Sequence, residues 1–113
     1  MFPKTFKLGG HTYKVLHPYV FEEVDGLTGQ NSCERRLIKV RNTTEGGATQ
    51  AETHQFRVFM HEVVHAIDQI FCMDSIGSEC NKEALLDGIS EGLTQFLLEN
   101  DLWKEPKEEN GEA

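Results

Sequence analysis

The run HEVVH at residues 61–65 constrains the fold most, because it lies in a segment whose apolar residues recur at helical spacing. On a helical projection the apolar residues gather on one side and the two histidines on the other. A helix over this segment can therefore bury one face in a core and open the other into a cleft. Thr49 and Glu52 fit a capping box, so we expect the helix to begin near residue 50 and to run to about Met73.

The spacing of the two histidines predicts a metal site. Residues four apart on a helix are neighbours, so His61 and His65 project side by side, one turn apart. Two imidazole nitrogens can then bind one zinc ion at about 2.0–2.1 Å each. Glu62 follows the first histidine and can reach a metal-bound water as general base. The pattern H-E-x-x-H thus indicates zinc-dependent hydrolysis.

A catalytic zinc ion needs a third protein ligand, which this segment does not supply. Asp68 and Phe71 stand where the glycine and the histidine of the longer pattern HExxHxxGxxH would be. We therefore expect an acidic ligand from a second helix, which should begin after the N-cap residue Asn81 and end near Asn100. The candidates on that helix are Glu83, Asp87 and Glu91.

Glu91 is the preferred candidate among these three. Four apolar residues at helical spacing predict a core stripe on the second helix, and Glu91 lies outside it. Small residues on the same side would let the two helices approach closely. We therefore expect zinc to be bound by His61, His65 and Glu91, with water at the fourth position. The stripe consists of Leu85, Ile89, Leu93 and Phe96, and Glu91 shares its side with Ala84, Gly88 and Gln95.

The residues before the first helix predict a small sheet. Alternating residues around a glycine pair indicate a β-hairpin over residues 6–17. Residues 19–32 contain breakers and are expected to be irregular. A short strand at 37–40 lies among basic residues, which is typical of an exposed sheet edge. Strands followed by helices predict the α+β class, with a short antiparallel sheet packed on an active-site helix and a glutamate-bearing helix.

Length and composition limit the remaining possibilities. We expect a single domain over residues 1–103 and a disordered acidic tail over 104–113. With a net charge of -8 and no basic stripe, nucleic acid is not an expected partner. No apolar run is long enough to span a membrane, and the start lacks a signal-peptide core, so we expect a cytoplasmic protein. Cys33, Cys72 and Cys80 are then expected to be reduced thiols.

Two segments of the chain resemble a known family. HEVVHAID followed by EALLDGISEGLTQFLLEN resembles the gluzincin metallopeptidases of the ImmA/IrrE type, in the compact form often found in phage and prophage genomes. The resemblance implies a minimal zincin-like domain, zinc as cofactor and a peptide or protein as substrate. It also implies that His61, His65 and Glu91 are the ligands and that Glu62 is the base. A phage-encoded protein of this kind would act in the host cytoplasm.

An alternative function is a zinc-binding regulatory or protein-interaction module without catalysis. A structural zinc site closes with four protein ligands and needs no base beside the first histidine. Cys80 is the candidate for a fourth ligand. The presence of Glu62 favours the catalytic interpretation.

The sequence also offers candidates for substrate binding, for orienting a ligand histidine and for stabilising an oxyanion. The edge expected at 37–40 can add a substrate peptide as an extra strand. Asp68 or Gln95 can accept a hydrogen bond from a ligand histidine. The donor to a developing oxyanion is left open, as is the oligomeric state. The candidate donors are Tyr13, Tyr19, His17 and His54.

Overall fold

A computed structural model describes residues 2–21, 27, 29–44, 47–77 and 81–103. Four strands precede two helices along the chain, which confirms the α+β class. The strands are β1 (Thr5–Leu8), β2 (His11–Leu16), β3 (Gly29–Ser32) and β4 (Leu37–Val40), and the helices are α1 (Glu52–Phe71) and α2 (Lys82–Glu99).

The four strands form one mixed sheet in the order β1-β2-β4-β3. β1 pairs antiparallel with β2, and β3 pairs antiparallel with β4, but β2 and β4 are parallel. The expectation of an antiparallel sheet is therefore wrong for the central pair. β4 pairs with both β2 and β3, so it lies inside the sheet and not at the predicted exposed edge, and its Ile38 and Val40 are fully buried. Burial of these apolar side chains outweighs the charged residues around them.

β3 forms one edge of the sheet, in a segment that was expected to be irregular. Its residues Gln30, Asn31 and Ser32 have little intrinsic preference for a strand. Pairing with β4 supplies their backbone hydrogen bonds and makes them a strand. The same edge lies against α1, which brings β3 close to the histidines.

Helix α1 packs against the sheet on one side and against α2 on the other. Phe56 and Phe59 are buried on its apolar side, where the ring of Trp103 lies 5.0 Å from that of Phe56. The helix begins at Glu52 after the N-cap residue Ala51, and no side chain caps it. The expected capping box is therefore wrong, although the expected helix is confirmed.

Helix α2 begins as expected, because the side chain of Asn81 accepts a hydrogen bond from the N–H of Ala84. The predicted core stripe on this helix is wrong. Its four apolar residues are 37–57% exposed, and a different face packs on α1. The hydroxyl of Ser90 donates to the carbonyl of Leu86 at 2.7 Å, so the polar group of this small residue is buried with a hydrogen-bond partner. The buried residues of this face are Leu86, Ser90 and Thr94.

Neither helix of the described ranges is long and apolar enough to cross a membrane. Cys80 and the tail expected over 104–113 lie outside the described residues. Cys33 and Cys72 are free thiols.

Candidate metal centre

Helix α1 presents His61 and His65 next to each other, as their spacing predicts. The ring centroids are 4.8 Å apart, and both side chains are partly buried. Glu62 is directed towards the edge strand, where its carboxylate lies near Gly29. The three residues of the motif therefore meet at one place between α1 and β3.

Glu83 supplies a carboxylate to the two histidines. Its Oε1 lies 3.0 Å from Nε2 of His61, and its Oε2 lies 3.1 Å from Nε2 of His65. One donor atom from each of the three residues fits within a group no wider than 4.8 Å. Two imidazoles and one carboxylate are thus collected around a single point.

The separations from Glu83 to the two histidines are compatible with a shared metal ion. Ligand atoms at about 2.0–2.1 Å from a tetrahedral zinc ion are about 3.3 Å apart, close to the separations from Glu83 to the histidines. Burial lowers the pKa of His65 even though the carboxylate of Glu83 acts in the opposite direction. A lowered pKa favours the neutral imidazole, which is the form that binds a metal.

The structure does not bring Glu91 to the histidines. Its carboxylate lies 3.2 Å from Nε of Arg57 and accepts a hydrogen bond from Gln95 at 2.8 Å. Glu91 is eight residues after Glu83, which corresponds to about 12 Å along the helix axis. The sequence-based choice of Glu91 therefore differs from the group that the structure assembles.

The register of the two helices explains which acidic residue meets the histidines. A short connection turns the chain back, so α2 runs against α1 in the opposite direction. Residues near the start of α2 then face the second half of α1, and later residues face its first half. The contacts follow this order, with His65 beside Glu83, His61 beside Asp87 and Arg57 beside Glu91. The length of the connection is the signal in the sequence that favours Glu83.

Asp87 lies behind His61. Its Oδ1 lies 3.4 Å from Nδ1 of His61, which is buried and makes no hydrogen bond among the described residues. Arg57 holds the same oxygen at 2.7 Å. A carboxylate at this position can orient the imidazole whose other nitrogen faces a metal.

Asp68 and Gln95, the two residues expected to orient a histidine, have other partners. Asp68 is fully buried, accepts a hydrogen bond from the N–H of Ile76 and lies 3.0 Å from Nζ of Lys82. Gln95 donates to Glu91. Asp68 therefore fixes the connection between the helices, and with it the start of α2.

Glu62 is a buried carboxylate beside the edge strand. Only 8% of the residue is exposed, and its Oε2 lies 3.2 Å from where a side chain at Gly29 would begin. Burial and the negative charge of Glu83 raise the pKa of Glu62 to about 7. A carboxyl group with such a pKa can take up and release a proton near neutral pH.

An open cleft runs along α1 between β3 and α2, with the histidines at its middle. One half, of about 300 Å³, reaches His54 and Arg57. The other half, of about 450 Å³, is lined by the amides of Gln30, Asn31 and Gln69. Both halves share His61, Glu62, Glu83, Gly29 and Leu27.

His54 lines this cleft, unlike the three other candidates for an oxyanion donor. Tyr13 is fully buried and stacks on Phe6. His17 shares a hydrogen bond with Gln55. Tyr19 packs on Phe21, with Lys39 over its ring.

Comparisons of this chain with protein-family models, with curated proteins and with solved structures found no match. The resemblance to ImmA/IrrE-type peptidases therefore stays a prediction that depends on the two helical segments.

Proposed function

We propose that this chain is a zinc-dependent metallopeptidase of the gluzincin type. The observation that supports this function most is the convergence of His61, His65 and Glu83 beside the buried carboxylate of Glu62. Two imidazoles, a carboxylate ligand and a separate base are the set that metal-assisted hydrolysis requires. The open cleft on both sides of the group gives a chain-like substrate access to it.

His61, His65 and Glu83 would hold the zinc ion. When bound, zinc would supply a Lewis acid that polarises the scissile carbonyl and makes a water molecule more acidic. Glu62 would accept the proton of the attacking water and pass it to the leaving amine. Asp87 would keep His61 in the orientation and tautomer that a metal needs, and Arg57 would keep Asp87 in place.

The substrate would lie along β3, not along the strand at 37–40 that the sequence favoured. β4 is paired on both sides, whereas β3 is the outer strand of the sheet that the described residues form. An extended peptide added to the outer edge of β3 would run through the cleft and past Glu62, because that carboxylate lies beside Gly29 of the strand. Backbone pairing would hold the peptide with little dependence on its sequence.

A zinc-binding module without catalysis is the competing proposal. A structural site would need a fourth protein ligand, and the group in the described part of the chain has three. Cys80, the expected fourth ligand, lies outside that part. We favour catalysis because a three-ligand group beside a buried glutamate leaves a position for water.

We also place this activity in the cytoplasm. The free thiols of Cys33 and Cys72 support a reducing compartment.

The decisive experiment combines metal analysis with a peptide-library cleavage assay on the full chain. We expect one zinc ion per chain and cleavage that a chelator abolishes. Glu62→Gln should keep the zinc ion and lower turnover by at least about 100-fold, because an amide cannot accept the proton of water. Stoichiometric zinc without cleavage of any library member, in both wild type and variant, would favour the non-catalytic module.

A further inference from the structure

A row of large apolar side chains on α2 faces away from the rest of the protein. Leu85, Ile89, Leu93 and Phe96 are exposed by 42%, 38%, 37% and 57%. They lie on one side of the helix, because residues separated by three or four positions share a face. A contiguous apolar row of this kind on a small protein marks an interaction surface.

The residues outside the described ranges offer no apolar segment to cover this row. Their sequences are short or polar and contain no apolar run. They are Met1, EEVDG at 22–26, Thr28, EG at 45–46, SEC at 78–80 and KEPKEENGEA at 104–113. None of these stretches supplies an apolar occupant for the row.

The charges on α2 indicate which kind of molecule would cover the apolar row. Asp87 and Glu91 both point to Arg57 on the cleft side of the helix. Between Leu85 and Phe96 they are the only charged residues of α2, so the apolar row and its borders are uncharged. A basic partner would find no acidic residue to pair with along this row. A second copy would meet no like charge there, although each chain carries a net charge of -8.

The row is also complementary to itself. If two α2 helices pack antiparallel with their two-fold axis between Ser90 and Glu91, Ile89 of each copy faces Gly92 of the other. Gly92 has open space around the position of a Cβ atom, so it can receive a bulky side chain. In the next layer, Leu85 of each copy faces Phe96 of the other. Such an arrangement, in which each contact occurs twice, is what a two-fold interface requires.

We propose that the chain forms an antiparallel homodimer through this face of α2. The dimer leaves the cleft open on each copy, because Glu83 and Asp87 line the cleft from another side of the helix. Four side chains from each copy form a small interface compared with the roughly 800 Å² per partner of a standard one. The dimer therefore forms and dissociates with protein concentration.

The test is sedimentation velocity of the full chain over a concentration series, with two variants. Wild type should shift from monomer to dimer as its concentration rises. Gly92→Glu should remain monomeric over the same series, because it puts a charged side chain where Ile89 of the other copy packs. Its fold should be kept, since glutamate is a better helix former than glycine and the position is open.

Ala84→Glu is the matched control. It adds the same charge at an exposed position of α2 that lies outside the row, and it should dimerise as wild type does. A monomeric wild type at all concentrations would overturn the proposal, as it would leave the row for a different protein. Dimers of Gly92→Glu that match wild type would also overturn it, because they would place the interface elsewhere.

Discussion

The Nε2 atom of His65 lies 3.1 Å from a carboxylate oxygen of Glu83, the second residue of α2. This contact joins the second half of α1 to the start of α2 and belongs to the antiparallel register of the two helices. Because the register continues through Asp87 and Glu91, these three acidic residues lie beside successive turns of α1. The register therefore assigns a separate role to each of them.

The first prediction separates Glu83 from Glu91 as zinc ligands. Glu83→Gln should lower zinc affinity by more than the roughly 10–100-fold that follows from losing an orienting residue, because it removes a direct ligand. Glu91→Gln should leave the affinity unchanged, since its carboxylate contacts Arg57 and Gln95. Competition with a chromophoric chelator measures both. The reverse result, a loss with Glu91→Gln alone, would restore the choice made from the sequence.

The second prediction concerns the carboxylate behind His61. Asp87→Asn should lower zinc affinity by about 10–100-fold without unfolding the protein, because the imidazole loses its orienting partner. The same chelator competition measures the change, and circular dichroism checks the fold. An unchanged affinity would mean that Asp87 serves only to pair with Arg57.

The third prediction tests the close approach of β3 to α1. A Cβ atom on Gly29 would lie 2.5 Å from a methyl carbon of Val58 and 3.2 Å from Oε2 of Glu62. Gly29→Ala should therefore lower the free energy of unfolding by about 1–3 kcal/mol and move Glu62 from its position. Urea denaturation measures the loss, and the peptide assay should show reduced turnover.

Gly88→Ala is the control for this substitution. Nothing lies within 4 Å of a Cβ atom at Gly88, in the middle of α2. Alanine there should raise the free energy of unfolding by about 0.5–1 kcal/mol, because glycine weakens a helix interior. Equal effects of the two substitutions would contradict the proposed contact at Gly29.

The fourth prediction concerns the buried carboxylate of Asp68. Asp68→Asn removes an ion pair with Lys82 and weakens the hydrogen bond that the N–H of Ile76 donates. It should therefore lower the free energy of unfolding by about 1–3 kcal/mol. It should also weaken zinc binding, because Asp68 fixes the start of α2 that carries Glu83. Denaturation at pH 7 and chelator competition measure the two effects.

The contribution of Asp68 should depend on pH with a definite sign. Burial alone would raise its pKa, but the hydrogen bond from Ile76 and the contacts with Lys82 hold the pKa below the usual 3.8. The stability that the carboxylate contributes is therefore present above pH 3.8 and is lost as the pH falls through the lower pKa of the folded protein. Metal-free wild type and Asp68→Asn should converge in stability in that range. A constant difference on acidification would contradict an ionised Asp68.

The sequence by itself determined the part of the candidate site that lies on α1. Residues four apart meet on any α-helix, so the side-by-side placement of His61 and His65 needs no partner element. The α+β class and the N-cap at Asn81 could likewise be predicted from the sequence, because periodicity and capping are properties of neighbouring residues. The edge strand β3 could not be predicted in this way, since its polar residues become a strand only by pairing with β4.

The tertiary structure decided which acidic residue meets the histidines and which face of α2 is buried. An amphipathic pattern gives the apolar side of a helix but not its register or rotation against a neighbour. Those depend on the connection held by Asp68 and on the contacts between α1 and the face of α2 that buries Ser90. Both are long-range contacts, whose free energy is set by the whole packed chain. For this reason Glu83 lies at the histidines and the apolar row of α2 faces outward.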